Sequence, residues 1–254
     1  MKKPTIFNLL SPLRTLSALP VRKKIYIVIL LLLIITLFGL IVICLPPGID
    51  WLNVYRPSAL NLLSAKSPYE ISGYYNPPWA ALFLLPFAVF PVKVGAALLL
   101  IVGLILISYT AHRLGAKPLA VIILLFSPPV MHGALNGNID WLAVIGLILP
   151  PQIGLFFVSI KPQIGIAVMI FWLFAAWKKN GWREVVRVFG PFTICLLISF
   201  LAFGFWITRS REVISEWWNA SLWPASIPVG LALLVAAIRK GRIEYAMGAS
   251  PCLS

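Results

Sequence analysis

Apolar residues arrive in long blocks along this chain, and polar residues gather in short intervals between them. The longest uncharged block, residues 25–45, would extend about 31 Å as a helix, enough for a hydrocarbon core of ~30 Å. Further apolar segments run over 79–90, 94–109, 119–130, 141–150, 153–160, 164–177, 192–208 and 227–238, and a last one opens near Tyr245. Several fall short of the ~20 residues that a spanning helix needs. The pattern predicts an all-α fold, a polytopic transmembrane helix bundle of about eight or nine spans over residues 25–254.

Composition sharpens this picture. Of 254 residues, 61% are hydrophobic and 11% charged, and mean hydropathy is +0.97. A soluble domain could not hide so much apolar surface, so the chain reads as an integral membrane protein. Residues 1–24 form a basic, cytoplasmic N-terminus ahead of the first block. Pro46-Pro47-Gly48, not a small-residue cleavage pattern, follows it, which predicts an uncleaved signal anchor. The net charge of +14 suggests nucleic acid at first sight, but the basic residues sit in short intervals between apolar runs, where they report topology instead. Cys44, Cys195 and Cys252 lie in apolar contexts without metal-ligand spacing and read as packing residues.

The positive-inside rule arbitrates the crossings. If residues 79–90 do not cross, the basic residues at 2–24, 113–117, 178–187 and 239–242 share the cytoplasmic side, fifteen in all, against six outside: Arg56, Lys66, Lys93, Lys161, Arg209 and Arg211. If they do cross, the split becomes ten against eleven. The first arrangement is favoured, and Pro77, Pro78, Pro86 and Pro91 suit a short, broken helix. It predicts an outer loop over 46–93 with interfacial helices, and a second over 209–224 carrying Glu212, Glu216, Trp217 and Trp218.

Only two aspartates occur, Asp50 and Asp140, each in the setting Ile-Asp-Trp-Leu at the edge of an apolar stretch. An Asp at the centre of a spanning helix costs roughly 2.5–3.5 kcal/mol, so acids retained near membrane depth are candidate chemistry. Each also looks like an N-cap, Asp50 after Pro-Pro-Gly and Asp140 before the helix expected from Trp141, and capping and function are not exclusive. Lys161 stands alone between two apolar runs; it reads either as a snorkelling lysine or as a cation that binds a lipid phosphate, with Arg56 and His132 as possible helpers. The tyrosines of the first outer loop fit an interfacial belt. There is no Gly-rich phosphate loop, zinc signature or serine-nucleophile elbow. A transferred group would then arrive on a membrane lipid rather than on a soluble nucleotide.

The order of a first span, an outer-loop Asp50, Ser67-Pro68-Tyr69, Tyr75-Asn76-Pro77-Pro78-Trp79, Gly137-Asn138 with Asp140, and Lys161-Pro162 resembles the GT-C superfamily of polytopic glycosyltransferases. Within it, the bacterial polyprenyl-phosphate-mannose-dependent mannosyltransferases are the most similar branch, over about residues 25–170. The resemblance implies that Asp50 is the general base for an acceptor hydroxyl and that Lys161, with Arg56, contacts the departing polyprenyl phosphate. Asp140, Asn138, Tyr69, Tyr75, Asn76, His132 and Gln163 would then face the sugar and the acceptor, a lipid or glycan, on the extracytoplasmic side, with inversion at the anomeric carbon. No cofactor is called for, and a divalent metal stays open. Members of that superfamily usually continue into further helices beyond the point where this chain stops, so a truncated or inactive homologue is one alternative. The other is a non-enzymatic transporter or lipid-binding scaffold, although a transporter would place its ionisable groups near the midplane, often with an internal repeat.

Overall fold

Prolines set most of the helix starts. A computed structural model describes residues 20–208 and 226–253, and every regular element among them is helical. The chain divides into two compact units, Met1–Leu45 and Pro46–Ser254. The described part of the first is one helix, α1 (Val21–Cys44), with 24 residues and no acid in its first turn.

The second unit opens with a π-helical turn, Trp51–Tyr55, that runs into α2 (Arg56–Leu63). Pro57 explains the wide turn: it cannot donate to the Asn53 carbonyl and its ring would strike it, so the preceding turn opens to an i to i+5 pattern, with Arg56 N–H donating to the Trp51 carbonyl. A 3-10 turn, Pro68–Glu70, carries a capping box in which the Ser67 hydroxyl accepts from the Tyr69 N–H and the Glu70 carboxylate accepts from the Ser67 N–H, each at 3.3 Å. Then follow α3 (Pro78–Ala88), α4 (Val92–Arg113), α5 (Pro118–Leu125), α6 (Pro128–Asn136), α7 (Asp140–Gly146), α8 (Pro151–Val158), α9 (Pro162–Phe203), α10 (Ile227–Lys240) and α11 (Ile243–Leu253). Five of these begin on proline, whose fixed φ and missing N–H suit the first helical position.

Among the described residues three helices are long and apolar enough to cross a membrane, α1, α4 and α9, and a fourth crossing results if the bent pair α5 and α6 counts as one. These long apolar helices are compatible with a membrane protein. The segment expected as one helix over 119–130 is two, bent by 55° where Ser127 precedes Pro128-Pro129, because the residue before a proline avoids helical backbone. Helix α3 has 11 residues, about 16 Å of rise against a ~30 Å core. The 42 residues of α9 are interrupted by non-helical Asn180 and Gly181, leaving arms of about 27 Å and 33 Å. The expected outer loop 209–224, with its Glu212, Glu216, Trp217 and Trp218, lies outside the described residues, as do Lys2, Lys3 and Arg14 of the basic N-terminus.

The core of the second unit is aromatic, and three of its rings are tied by their polar atoms to backbone carbonyls. Trp79 donates to the Phe156 carbonyl at 2.7 Å, Trp51 to the Val92 carbonyl at 3.1 Å, and Tyr74 to the Pro77 carbonyl at 2.9 Å. Trp206 stacks on Tyr69 with ring centroids 6.0 Å apart. These contacts fasten the 46–90 segment to α4, α8 and the end of α9.

Candidate functional site

Two loops meet where the candidate residues gather. Gly48 and Gly137 both have positive φ, and a Cβ on Gly48 would stand 2.5 Å from the Asn136 carbonyl carbon, while one on Gly137 would stand 2.5 Å from the Trp51 Cβ. Such approaches admit only glycine. They bring the start of the first helix of the unit, with Asp50, against the turn that leads to Asp140.

Asp140 pairs with Lys161 at 3.1 Å; the Lys161 side chain is 14% exposed and that of Asp140 44%. Lys161 is placed by Pro162, which keeps it extended at the break between α8 and α9, and by Asn76, whose amide donates to the Ile160 carbonyl at 2.8 Å. The capping expectation for the two acids is corrected here. Asp50 already has helical backbone and makes no capping hydrogen bond, and α7 starts at Asp140 with Ile139 as its cap. Both carboxylates are therefore available to other partners.

Asp50 lies within the fields of Lys161, Asp140 and His132. Burial lifts its carboxyl above the ordinary value, Asp140 adds to the lift, and Lys161 and His132 oppose it. For Lys161, burial works against the charge, yet Tyr55, Asp140 and Asp50 outweigh it and hold the ammonium above its usual range. Tyr55 is the member that sequence reading missed, having been placed in an interfacial belt. It is 6% exposed, its hydroxyl donates to Asn138 Oδ1 at 3.4 Å, and it lies within the field of Lys161. Residues five apart stack in a π turn, so the turn forced by Pro57 aims Tyr55 to the same side as Asp50. Burial raises its phenol above the ordinary value, which keeps it a neutral hydrogen-bonding group.

The remaining candidates separate. Asn138 accepts from the Ile139 N–H at 2.7 Å and from Tyr55. His132 is exposed and bonds to Asn136 at 3.0 Å. Gln163, Asn138 and Asp140 line a cavity of about 730 Å³. Arg56 is elsewhere: its guanidinium donates to the Phe90 carbonyl at 3.3 Å, and it is not among the charges acting on Asp50. Tyr69 belongs to the aromatic core, where its hydroxyl donates to the Asn76 carbonyl at 3.0 Å; Tyr75 is half-buried in the same loop. No group of three or more His, Cys, Asp or Glu side chains that could hold a metal occurs among the described residues. No family model, curated protein or solved structure matches the chain.

Proposed function

We propose that this chain is an integral-membrane glycosyltransferase of the GT-C kind, moving a mannose-like sugar from a polyprenyl-phosphate donor to an acceptor hydroxyl on the extracytoplasmic side. The observation that carries the reading is the meeting of a partly buried, proton-affine Asp50 with the Asp140–Lys161 pair beside a largely apolar cavity. A lipid-borne substrate needs that combination: apolar walls for a chain and a polar end for chemistry.

In this mechanism Asp50 takes the proton as the acceptor oxygen attacks the anomeric carbon, the bond from that carbon to the phosphate oxygen breaks, and polyprenyl phosphate leaves with the electron pair. A positioned base supplies about 10²–10⁴-fold. Lys161 is the cation nearest the reaction, and it meets the growing phosphate charge by sharing itself between phosphate and Asp140. Asn138 and Asp140 hold sugar hydroxyls. Eight or nine crossings follow in this reading when the two arms of α9 count separately and α7, α8, α10 and α11 enter as spans or half-spans, with α2 and α3 at the outer interface.

Membranes containing the chain, given radiolabelled polyprenyl-phosphate mannose, should yield labelled product. Asp50→Asn should reduce that yield by about 10²–10⁴-fold while the protein still folds. Transfer by Asp50→Asn at the wild-type rate would remove the base, and a wild-type chain inert towards every polyprenyl-phosphate sugar would favour a non-catalytic lipid-binding scaffold.

A further inference from the structure

The break in α9 gathers charge. Its arms of about 27 Å and 33 Å are each close to the thickness of a ~30 Å hydrocarbon core. Non-helical backbone is not tolerated against lipid tails, so Asn180 and Gly181 belong at headgroup depth. A Cβ on Gly181 would meet nothing within 4 Å, which leaves this turn open at the surface. Four cations flank it between Lys178 and Arg187, with one acid, Glu184. The turn between α10 and α11 adds Arg239, Lys240 and Arg242 against Glu244. The two groups stand together. Lys178 Nζ donates to the Ile238 carbonyl at 2.8 Å, and Ala176 and Val185, one on each side of the break, are buried in one cluster with Ala237 and Ala246.

The acids leave this face strongly positive. Glu184 turns inward, with a side chain 9% exposed, and holds Lys179 at 3.0 Å and Arg187 at 3.4 Å, one from each arm. Arg183 and Arg239 are exposed and have no hydrogen bond or ion pair among the described residues. Trp177 and Trp182 bracket the turn at 56% and 67% exposed, and Lys240 and Arg242 lie over the Tyr245 ring at 5.0 Å and 5.7 Å. Indoles settle at the headgroup level, and cations beside them meet lipid phosphate. We propose that this face docks the headgroups of acidic glycerophospholipids, with Arg183 and Arg239 as the free cations that take the phosphate. The exposed tryptophans, at the depth where both arms end, favour a lipid surface over an acidic protein. The inference rests on the membrane reading of the chain and is independent of sugar transfer.

The test uses the full chain in phosphatidylcholine bilayers with a trace of spin-labelled phosphatidylglycerol or spin-labelled phosphatidylcholine. Electron paramagnetic resonance reads the motionally restricted fraction of each. Phosphatidylglycerol should be preferred about fivefold at low salt, and the preference should shrink as salt screens it. Arg183→Gln with Arg239→Gln should lower it to about twofold or less, and Arg183→Lys with Arg239→Lys should keep it. Both arginines are exposed and unpaired among the described residues, so neither change should disturb the fold. Arg22→Gln with Lys23→Gln removes equal charge from α1 and should leave the preference in place. Equal association of the two lipids with the wild-type chain would overturn the proposal and leave the face to an acidic protein. So would a preference indifferent to the Arg183 and Arg239 changes. A preference that the Arg22 and Lys23 change lowers as much would also overturn it, since the attraction would then belong to total charge.

Discussion

Gly48 and Gly137 lie backbone against backbone: a Cβ on Gly48 would stand 2.7 Å from the Gly137 nitrogen. That contact joins the segment leading to Asp50 to the segment leading to Asp140, residues ninety apart in sequence. Gly137 also holds φ at 72°, a region that costs an L side chain about 1–2 kcal/mol before any clash. Gly137→Ala should therefore lower stability by at least that amount and separate the two carboxylates. Thermal unfolding of the detergent-solubilised protein checks this, and an unchanged melting temperature would contradict the interlock.

Much of this arrangement was legible in the chain, for a physical reason. Charges are rare enough that Asp50, Asp140 and Lys161 stood out, and apolar blocks with proline starts marked the helices. What stayed hidden depends on contacts distant in sequence. Tyr55 looked like any interfacial tyrosine because its role comes from the π turn at Pro57, and Tyr69 looked accessible until Trp206, far along the chain, was seen to cover it. The glycines at 48 and 137 carry no local sign of the partner each must admit. The capping expectation failed at Asp50 because the helix begins one residue earlier, at Ile49.

The Asp140–Lys161 pair should be worth more than a surface ion pair and less than a buried one. Exposed pairs contribute under about 1 kcal/mol, and breaking buried ones costs about 3–5. With Asp140 44% exposed, water takes part of the load, and we expect a coupling of about 1–2 kcal/mol from the Asp140→Asn, Lys161→Met double-mutant cycle. Additive single effects would show that the contact contributes nothing.

Tyr55→Phe removes the hydroxyl that bonds Asn138 beside Lys161 and keeps the ring in the core. The expected loss is about 0.5–1.5 kcal/mol of stability, with an additional fall in the rate of any reaction that uses the aligned Lys161. A variant with full stability would mean that water replaces the phenol at no cost.

Asp50 sets a pH dependence whose sign follows from burial. Its folded carboxyl binds a proton more tightly than the ordinary value of 3.8 allows, so the fold favours the neutral form. Ionisation then costs stability: the cost is absent below the ordinary value, grows as pH rises through the raised one, and is complete above it. Asp50→Asn should thus gain stability relative to wild type as pH rises from acid to neutral, read from melting temperatures across that range. A gap that widens in the opposite direction would mean that the folded site stabilises the carboxylate.

The proposed function requires both acids to face outward, and that placement can be read chemically. Charged positions fifteen to six across the membrane favour residues 79–90 as non-crossing, and α3 has 11 residues, about 16 Å against a ~30 Å core. After Cys44, Cys195 and Cys252 are replaced by serine, single cysteines at positions 50 and 140 should react with a membrane-impermeant maleimide added outside intact cells, whereas one at position 183, beside the α9 break, should react only after permeabilisation. Labelling of 50 and 140 from opposite faces cannot be reconciled with the loop contact at Gly48 and Gly137, since one rigid junction cannot open to both sides of a bilayer. That outcome would remove the shared reaction centre, and the glycosyltransferase reading with it.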